Sequence, residues 1–332
     1  MADVNKRAQA GDGGDDAMVN LALLPELHAT SAGLKAIGTS YMVDGIEQAR
    51  RACGGHGYGL FSGLPAILLN CLRMYSTEGD NNVLYLQTAR FLMSAWRSAS
   101  TGDVEALAGG VQYYADLAKD DGAAIETQRC TATTIEELCD TEVQLDAFKH
   151  VAARKVRRTA NRMAAEAAAG LAEHDAKNAH MREQIEATKS HGSYTVLNAF
   201  ATSVSQIEDP ALKRVMKTQC DMYALSTMEA NMGDFVSDGY LNGDQADMVS
   251  DAVVSLLGAI RPDAVALVDS FDFDDELELH NTAIGAYDGD VYNRLYEWSC
   301  KDPLNGVNGD GAVVPGYEEY LKPFMEMHAA KL

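Results

Sequence analysis

Residues 78–92 of the chain read EGDNNVLYLQTARFL, a short polar step that runs directly into an apolar segment of good helix formers. The same bias extends over a much longer interval, because no proline occurs between Pro65 and Pro210 and the residues there are rich in Ala, Leu, Glu, Arg, Gln and Met. These residue types favour helix, and the alternating apolar runs bounded by turn residues that mark strands are missing. The sequence therefore predicts an all-α fold of helical bundles.

Apolar spacing and breaker residues outline the individual helices, with boundaries uncertain by a few residues. The expected helices cover Leu24–Ala36, Thr39–Cys53, Asn81–Ser98, Thr134–His174, Thr195–Ile207, Pro210–Ser237, Gly243–Ala259 and Pro262–Asp269. Residues 1–20 are rich in Ala, Gly and Asp without an apolar period, which indicates a flexible lead-in. Residues 101–133 contain helix-interrupting glycines and are expected to connect two helical units.

Composition excludes several classes of protein. The chain has 332 residues, 47% of them hydrophobic, and no apolar run of the roughly 20 residues that a bilayer span needs. Its formal charge of -22 argues against general nucleic-acid binding, which depends on cationic side chains. A basic cluster at residues 154–162 is interpreted as a solvated face or as the intramolecular partner of the excess acid, and contact with a phosphate of coenzyme A is the alternative. The cysteines and histidines lack ligand spacing, so no metal site is expected.

Several motifs occur along the chain in a fixed order. They are LPELH at 24–28, AGLK at 32–35, RACGGHGY at 51–58, EGDN at 78–81, LQTARFL at 86–92, IRPDAVALVD at 260–269, YDGDVY at 287–292, EW at 297–298 and PLN at 303–305. Together these motifs closely resemble those of the peroxisomal acyl-CoA oxidases. In that family an N-terminal helical domain and a β-barrel domain precede the segment seen here. The resemblance therefore implies the C-terminal half of such an enzyme, with no β-barrel domain in this chain.

The resemblance also assigns parts to the predicted domains. Residues 21–100 would form part of a flavin-facing helical bundle that carries the catalytic base, and residues 134–332 would form the C-terminal oxidase domain with a targeting tail. The implied reaction is the oxidation of acyl-CoA to trans-2-enoyl-CoA by FAD, with electrons passed to O2 to give H2O2, the first step of peroxisomal fatty acid β-oxidation. The alternative is a noncatalytic helical module that dimerises or assembles with a full-length oxidase.

Glu78 occupies the position of the family's catalytic base, the first residue of the Glu-Gly-(Glu/Asp)-Asn step. A carboxylate can take the α proton of a thioester if the site is poor in water and the carbonyl is polarised. Thr77 and Gly79 are the implied substrate-binding neighbours, and Thr77 departs from the aromatic residue that commonly precedes the base. The competing interpretation of Glu78 is a surface glutamate at a helix start, where the helix dipole favours it.

The resemblance places FAD against the glycine turn, at Arg51, Gly54 and Gly55, and against Asp80 and Asn82 after the base. Glycines let backbone N–H groups approach phosphate or ribose oxygens closely. The turn is not a dinucleotide fingerprint, since no strand precedes it. A tight turn at a helix end would explain the glycines equally, and Asp80 or Asn81 would equally serve as a helix cap.

The chain ends in Ala330, Lys331 and Leu332, a variant of the Ser-Lys-Leu tripeptide that the peroxisomal import receptor reads. Together with the motifs, this ending predicts the peroxisomal matrix or the glycosome. An arbitrary helix end with a cation in its last turn is the competing explanation. The expected partners are acyl-CoA, O2, the import receptor and either a second copy of the chain or a longer oxidase, with no nucleic acid and no membrane span.

Overall fold

The computed structural model describes residues 15–105, 107–273, 282–286, 288–301 and 316–329, and within them every regular element is helical. The prediction of an all-α fold is confirmed. The α-helices are α1 Asp15–Ala52, α2 Gly54–Tyr58, α3 Leu64–Leu72, α4 Asn81–Ser100, α5 Tyr114–Leu117, α6 Ala123–Thr127, α7 Ile135–Leu138, α8 Thr141–Ala168, α9 Glu173–Ala179, α10 Met181–Ser205, α11 Pro210–Ala230, α12 Met232–Val236, α13 Gly243–Ile260, α14 Ala264–Asp269, α15 Val291–Lys301 and α16 Lys322–Ala329.

The contacts among residues divide the chain into two compact units. The first comprises the described parts of Met1–Ser40 and Met74–Ser270, and the second those of Tyr41–Arg73 and Phe271–Leu332. This division falls inside α1, whereas the sequence placed a boundary in residues 101–133, where α5 and α6 lie. The domain roles taken from the resemblance stay predictions.

The largest core of the first unit lies among α8, α10, α11 and α13. It is built from apolar side chains with almost no solvent exposure, including Phe148, Leu197, Leu225, Met228 and Val249. Fully burying a side chain of this size contributes roughly 1.5–3 kcal/mol. Because these residues come from four separate helices, the core fixes the bundle as a whole.

A second core of the same unit forms around α4, the helix that residues 78–92 predict. Leu92 and Trp96 are buried there against α8 and against the segment that contains Val111, Tyr114 and Ile125. The supposed connector thus contributes buried side chains, because its short helices turn their apolar residues onto α4. A smaller cluster joins α4 to α1 through Ala36, Ile37 and Tyr85.

Asp and Asn caps set several helix starts, and two of these starts, at Pro210 and Gly243, are the ones that the sequence predicts. Asp140 and Asp209 accept backbone N–H bonds at the starts of α8 and α11, and Asn242 forms a capping box with Gln245 at α13. Each such cap contributes about 1 kcal/mol. The cap at Asp140 also explains why the helix predicted over Thr134–His174 is wrong: α7 ends before it, and α8 stops ahead of Gly170, whose φ is 97°.

Other helix predictions are wrong for identifiable reasons. The break expected between Ala36 and Thr39 does not occur, because the buried Ala36 and Ile37 hold α1 together across Gly38. The helix predicted over Thr195–Ile207 begins at Met181 instead. Its first half buries polar side chains such as Gln184 and Thr188, so it shows no apolar period. The helix predicted over Pro210–Ser237 is interrupted after Ala230.

The structure tests only part of what the sequence predicts for the two ends of the chain. Residues 1–14 and the tripeptide Ala330, Lys331 and Leu332 lie outside the described residues. Helix α1 begins at Asp15, within the segment that was expected to be a flexible lead-in. No helix among the described residues is long and apolar enough to cross a membrane.

The basic cluster of α8 is paired within the chain. Arg154 contacts Asp238 at 2.9 Å, Lys155 contacts Asp234 at 2.5 Å, Arg157 contacts Glu126 at 2.9 Å, and Arg162 contacts Glu183. The interpretation of these cations as partners of the excess acid is confirmed. The pairs tie α8 to the segments around α6, α10 and α12.

Candidate active site

The turn that carries Glu78 has an unusual backbone. Glu78 is exposed and has a φ of 62°, and Gly79 follows with a φ of 114°. A non-glycine residue in the left-handed region costs of order 1–3 kcal/mol, and such residues cluster at functional sites. A Cβ on Gly79 would also lie 3.0 Å from Leu84 Cδ2, so glycine is needed there by the turn itself. Substrate contact by Gly79 stays a prediction.

Lys35 of α1 is hydrogen-bonded to this turn. Its Nζ donates hydrogen bonds to the carbonyl oxygens of Met74 and Gly79, each at 2.7 Å, and to Asn81 Oδ1 at 2.9 Å. An ammonium group has three donors, and here all three are used. The bonds reach both ends of the turn around Glu78, which is therefore anchored to a long helix.

Asn81 completes the anchor. Its side chain is buried, and its Nδ2 donates to Ala36 O at 3.1 Å and to Thr39 Oγ1 at 2.9 Å. Of the two residues that the sequence offered as a cap for α4, Asp80 has that role, since its Oδ1 accepts from Asn82 N at 2.9 Å and from the next backbone N–H at 3.4 Å. Asn81 instead joins α4 to α1.

The remaining residues predicted around the base share this turn. Thr77, Asp80 and Asn82 are exposed within the first unit, as is Glu78. The Thr77 hydroxyl lies 3.6 Å from Met74 Sδ. The structure thus brings together the predicted base, the predicted substrate neighbours and two of the predicted flavin contacts on one surface turn. Their ligand contacts stay predictions.

The glycine turn belongs to the second unit, where α1 ends at Ala52 and α2 begins at Gly54. Two of its glycines, Gly54 and Gly57, have structural explanations, and Gly55 has none among the described residues. Gly57 is required by packing, because a Cβ there would lie 1.9 Å from Arg50 O, and Gly54 is required by its φ of 60°. Gly55 has neither constraint: an added Cβ would meet no described atom within 4 Å.

This distinction separates two explanations of the turn that the sequence left open. Gly54 and Gly57 have structural reasons, as expected for a tight turn at a helix end. Gly55 and Arg51 are exposed, and nothing in the described part of the chain accounts for the missing side chain at 55. Open space at this point suits the close approach of a phosphate or ribose to the backbone.

Among the described residues, no group of three or more His, Cys, Asp or Glu side chains is arranged so that it could hold a metal ion. All six cysteines are free thiols. Burial raises the pKa of Cys220 to about 11, which keeps that thiol protonated and unreactive.

Comparison with known proteins identifies the class. The sequence model described as acyl-CoA oxidase matches residues 140–326, and the model of the acyl-CoA oxidase C-alpha1 domain matches residues 1–93. The chain belongs to the acyl-CoA oxidase family, which confirms the resemblance drawn from its motifs.

Individual relatives agree with this assignment. Peroxisomal acyl-coenzyme A oxidase 2 of Mus musculus is 38% identical over 318 residues, covering 94% of this chain and 44% of that protein. Peroxisomal acyl-coenzyme A oxidase 1 of Homo sapiens is 37% identical over 287 residues, covering 86% of this chain and 42% of that protein. The chain thus spans less than half the length of these curated relatives.

Solved structures show the same partial coverage. Acyl-CoA oxidase 1 of Arabidopsis thaliana superposes with a TM-score of 0.84 at 33% sequence identity, covering 98% of this chain and 46% of that one. Acyl-CoA oxidase-1 of Caenorhabditis elegans, crystallised with FAD and ATP, gives a TM-score of 0.82 at 28% identity over the same shares. The helical fold is therefore that of the matching portion of acyl-CoA oxidases.

The structure also exposes what sequence reasoning missed. In the sequence, Lys35 is distinguished only as part of the AGLK motif, because its contacts with Gly79 and Asn81 join residues far apart in the chain. No local pattern reports such a contact. A lysine on an otherwise apolar and small-residue helical segment is the one signal that could have drawn attention to it.

Proposed function

We propose that this chain takes part in the oxidation of acyl-CoA to trans-2-enoyl-CoA, with Glu78 as the base that removes the α proton. The observation that carries the proposal is the exposed carboxylate of Glu78, held at a φ of 62° in an anchored turn. A surface glutamate that served only solubility would need neither the costly backbone nor the anchor. Family membership supports the same assignment.

The residues of the turn have separate tasks in this proposal. The Glu78 carboxylate accepts the proton from the carbon next to the thioester carbonyl, and a base positioned in this way contributes roughly 10²–10⁴-fold to the rate. Asp80 is engaged by the N-terminus of α4 through its Oδ1, so that it stabilises the helix start next to the base. Asn81 and Lys35 are hydrogen-bonded to each other and restrain the turn that carries the base.

FAD is the proposed cofactor, and the residues present suit it. FAD, when bound, would supply the acceptor for the β hydrogen, which leaves as hydride, and the route for its electrons to O2, which gives H2O2. Arg51 offers a cation and Gly55 offers an unobstructed backbone for the phosphate and ribose groups. Caenorhabditis elegans acyl-CoA oxidase-2, a relative by fold at 27% identity, is crystallised with FAD, ascaroside-CoA and ATP. Its first two ligands support the proposal of a flavin cofactor and a CoA-ester substrate.

The proposed setting is the peroxisomal matrix, as the first step of fatty acid β-oxidation. Its support is that relatives in mammals are named peroxisomal oxidases, and that the chain ends in Ala330, Lys331 and Leu332. Capture by the import receptor through this tripeptide, and assembly with a second copy or a longer oxidase, belong to the same proposal.

The test uses the chain itself, reconstituted with FAD and offered short-, medium- and long-chain acyl-CoA esters. We expect a flavin absorbance after removal of free FAD and peroxide formation on one of the esters. Glu78→Gln should keep the absorbance and lose about 100- to 10,000-fold in rate. Glu208→Gln, which changes an exposed glutamate between α10 and α11, is the matched control and should keep full activity.

Glu78→Gly separates loss of chemistry from loss of structure. Glycine accepts the left-handed conformation at no cost, so this variant should unfold at the same or a higher urea concentration than the wild type while it stays inactive. A colourless protein that forms no peroxide with any ester would refute the catalytic proposal and favour the noncatalytic module. Full activity in Glu78→Gln would refute the role of Glu78.

A further inference from the structure

Lys35 makes contacts that go beyond holding two helices together. We infer that it is a positioning residue for the base, whose ammonium sets the orientation of Glu78 by fixing the backbone on both sides of it. The inference rests on the proposed role of Glu78. Its foundation is geometric: the Met74 carbonyl lies before Glu78, the Gly79 carbonyl directly after it, and one cation binds both at 2.7 Å.

The geometry of the ammonium is matched to its three acceptors. Lys35 is half-buried on α1, and each of its three N–H donors has one partner, the third being Asn81 Oδ1 at 2.9 Å. None of these acceptors is a carboxylate. The cation is therefore employed as a donor to neutral oxygens, and charge-assisted bonds of this kind are roughly twice as strong as neutral ones.

The strained backbone explains why such an anchor is needed. The positive φ of Glu78 persists only when the surroundings over-determine the conformation. The Gly79 carbonyl oxygen belongs to the peptide unit that follows Glu78 and Gly79, so a bond to it restricts the rotation of Gly79, a residue whose backbone is otherwise freely variable. Asn81 also restrains the far end of the turn, through Ala36 and Thr39. Lys35 is the group that reaches the near end at Met74.

Two consequences distinguish a positioning role from general stabilisation. Loss of the ammonium should release residues 76–80 locally while the core among α8, α10, α11 and α13 stays closed. It should also lower kcat more than it raises KM, because the proton transfer depends on the placement of the carboxylate. A displacement of about 1 Å of a reacting group can cost about 100-fold in rate.

The experiment compares wild type, Lys35→Met and the control Lys213→Met. Lys213 is a lysine on α11 that donates to the carbonyl of Ser205 at 2.9 Å, so its loss removes a similar contact at another place. Amide hydrogen exchange is measured on the FAD-loaded chain, together with kcat and KM for the best acyl-CoA. We expect about tenfold faster exchange at residues 76–80 and about 100-fold lower kcat in Lys35→Met alone, with KM nearly unchanged.

A rescue experiment isolates the ammonium group. Lys35→Cys should behave as Lys35→Met, and its aminoethylation regenerates an ammonium at the same side-chain length. Wild type is treated in parallel, since exposed Cys53 also reacts. We expect treatment to restore slow exchange in Lys35→Cys and to raise its kcat to that of wild type treated in the same way. If Lys35→Met does not fold, Lys35→Arg replaces it, because the charge is kept while the planar guanidinium cannot match three converging oxygens.

The outcomes of the exchange and kinetic measurements are independent. If wild type forms no peroxide, the proposed function fails, while the exchange data still decide whether Lys35 holds the turn. Unchanged exchange at residues 76–80 in Lys35→Met overturns the inference. So does a faster exchange that leaves kcat intact, because the turn would then be held without any effect on the base.

Discussion

Gly192 offers the most decisive test of how the first unit is packed. It lies in α10, where an added Cβ would come within 1.8 Å of Ile37 Cδ1 and 3.3 Å of Ile37 Cγ1 on α1. Replacing glycine by alanine inside a helix normally adds about 1 kcal/mol of stability. Forcing an extra carbon into a packed core costs about 1–3 kcal/mol. The two effects oppose each other. Ile37 is buried, so its Cδ1 has to shift within the packed core to give way to a carbon 1.8 Å away, and we expect the collision to outweigh the gain in helix propensity.

We expect Gly192→Ala to lower the free energy of unfolding by about 1 kcal/mol, the balance of a collision of about 2 and a propensity gain of about 1. Ile37→Val removes the colliding Cδ1 and should itself cost about 1 kcal/mol. The double variant loses the collision and keeps the propensity gain, so it should be about as stable as wild type and about 1 kcal/mol more stable than Ile37→Val, which makes the coupling about 2 kcal/mol. Urea unfolding followed by helical circular dichroism measures all four proteins.

Gly38→Ala is the matched control, since Gly38 lies inside α1 and its added Cβ would meet no described atom within 4 Å. It should gain about 1 kcal/mol. Additivity of Gly192→Ala and Ile37→Val within about 0.5 kcal/mol would refute the proposed contact. A gain in stability for Gly192→Ala equal to that of Gly38→Ala would do the same.

Two further predictions concern buried ionisable groups. Burial lowers the pKa of His191 to about 4 from an ordinary value near 6.5. As the pH falls, the unfolded chain therefore binds the proton before the folded chain does. The contribution of His191 to the free energy of unfolding is complete above about pH 6.5 and is lost towards pH 4, by roughly 3 kcal/mol in total. Urea midpoints at stepped pH should therefore fall less steeply in His191→Gln than in wild type, while a variant of the exposed His174 matches wild type; equal slopes for all three would contradict the prediction. Lys217→Met leaves the buried Asp221, whose pKa is raised above its usual range by burial, without its cation. The loss in unfolding free energy should be about 3 kcal/mol, against less than about 1 for Lys189→Met at an exposed ion pair, and a loss below 1 kcal/mol in Lys217→Met would contradict it.

The candidate site shows how far local sequence rules reach. Glu78 and its neighbours were placed on one turn before a helix because the residues that determine this are adjacent: the polar step, the cap at Asp80 and the helix formers after it. The assignment of Glu78 to catalysis depended on family motifs and not on these rules. The anchoring by Lys35 was not predicted, since its partners lie 39 to 46 residues away.

The fold shows the same limit from another side. The start of α13 at Gly243 and that of α11 at Pro210 were predicted, because caps act within a single turn. The first half of α10 was missed because its buried face is polar. Thr188 donates to Tyr85 O at 3.0 Å, and this partner lies on another helix. A buried hydroxyl that is satisfied across helices leaves no apolar period to detect.

By itself, the sequence determined that the chain is helical, where several helices begin, and to which family it belongs. These properties follow from interactions within one helical turn and from the order of motifs. The tertiary structure alone decided that Lys35 anchors the turn of Glu78, that the missing side chain of Gly192 leaves room for Ile37, and that no described atom lies near the missing side chain of Gly55. Each of these depends on which atoms meet, or fail to meet, when distant segments pack, and no local rule contains that information.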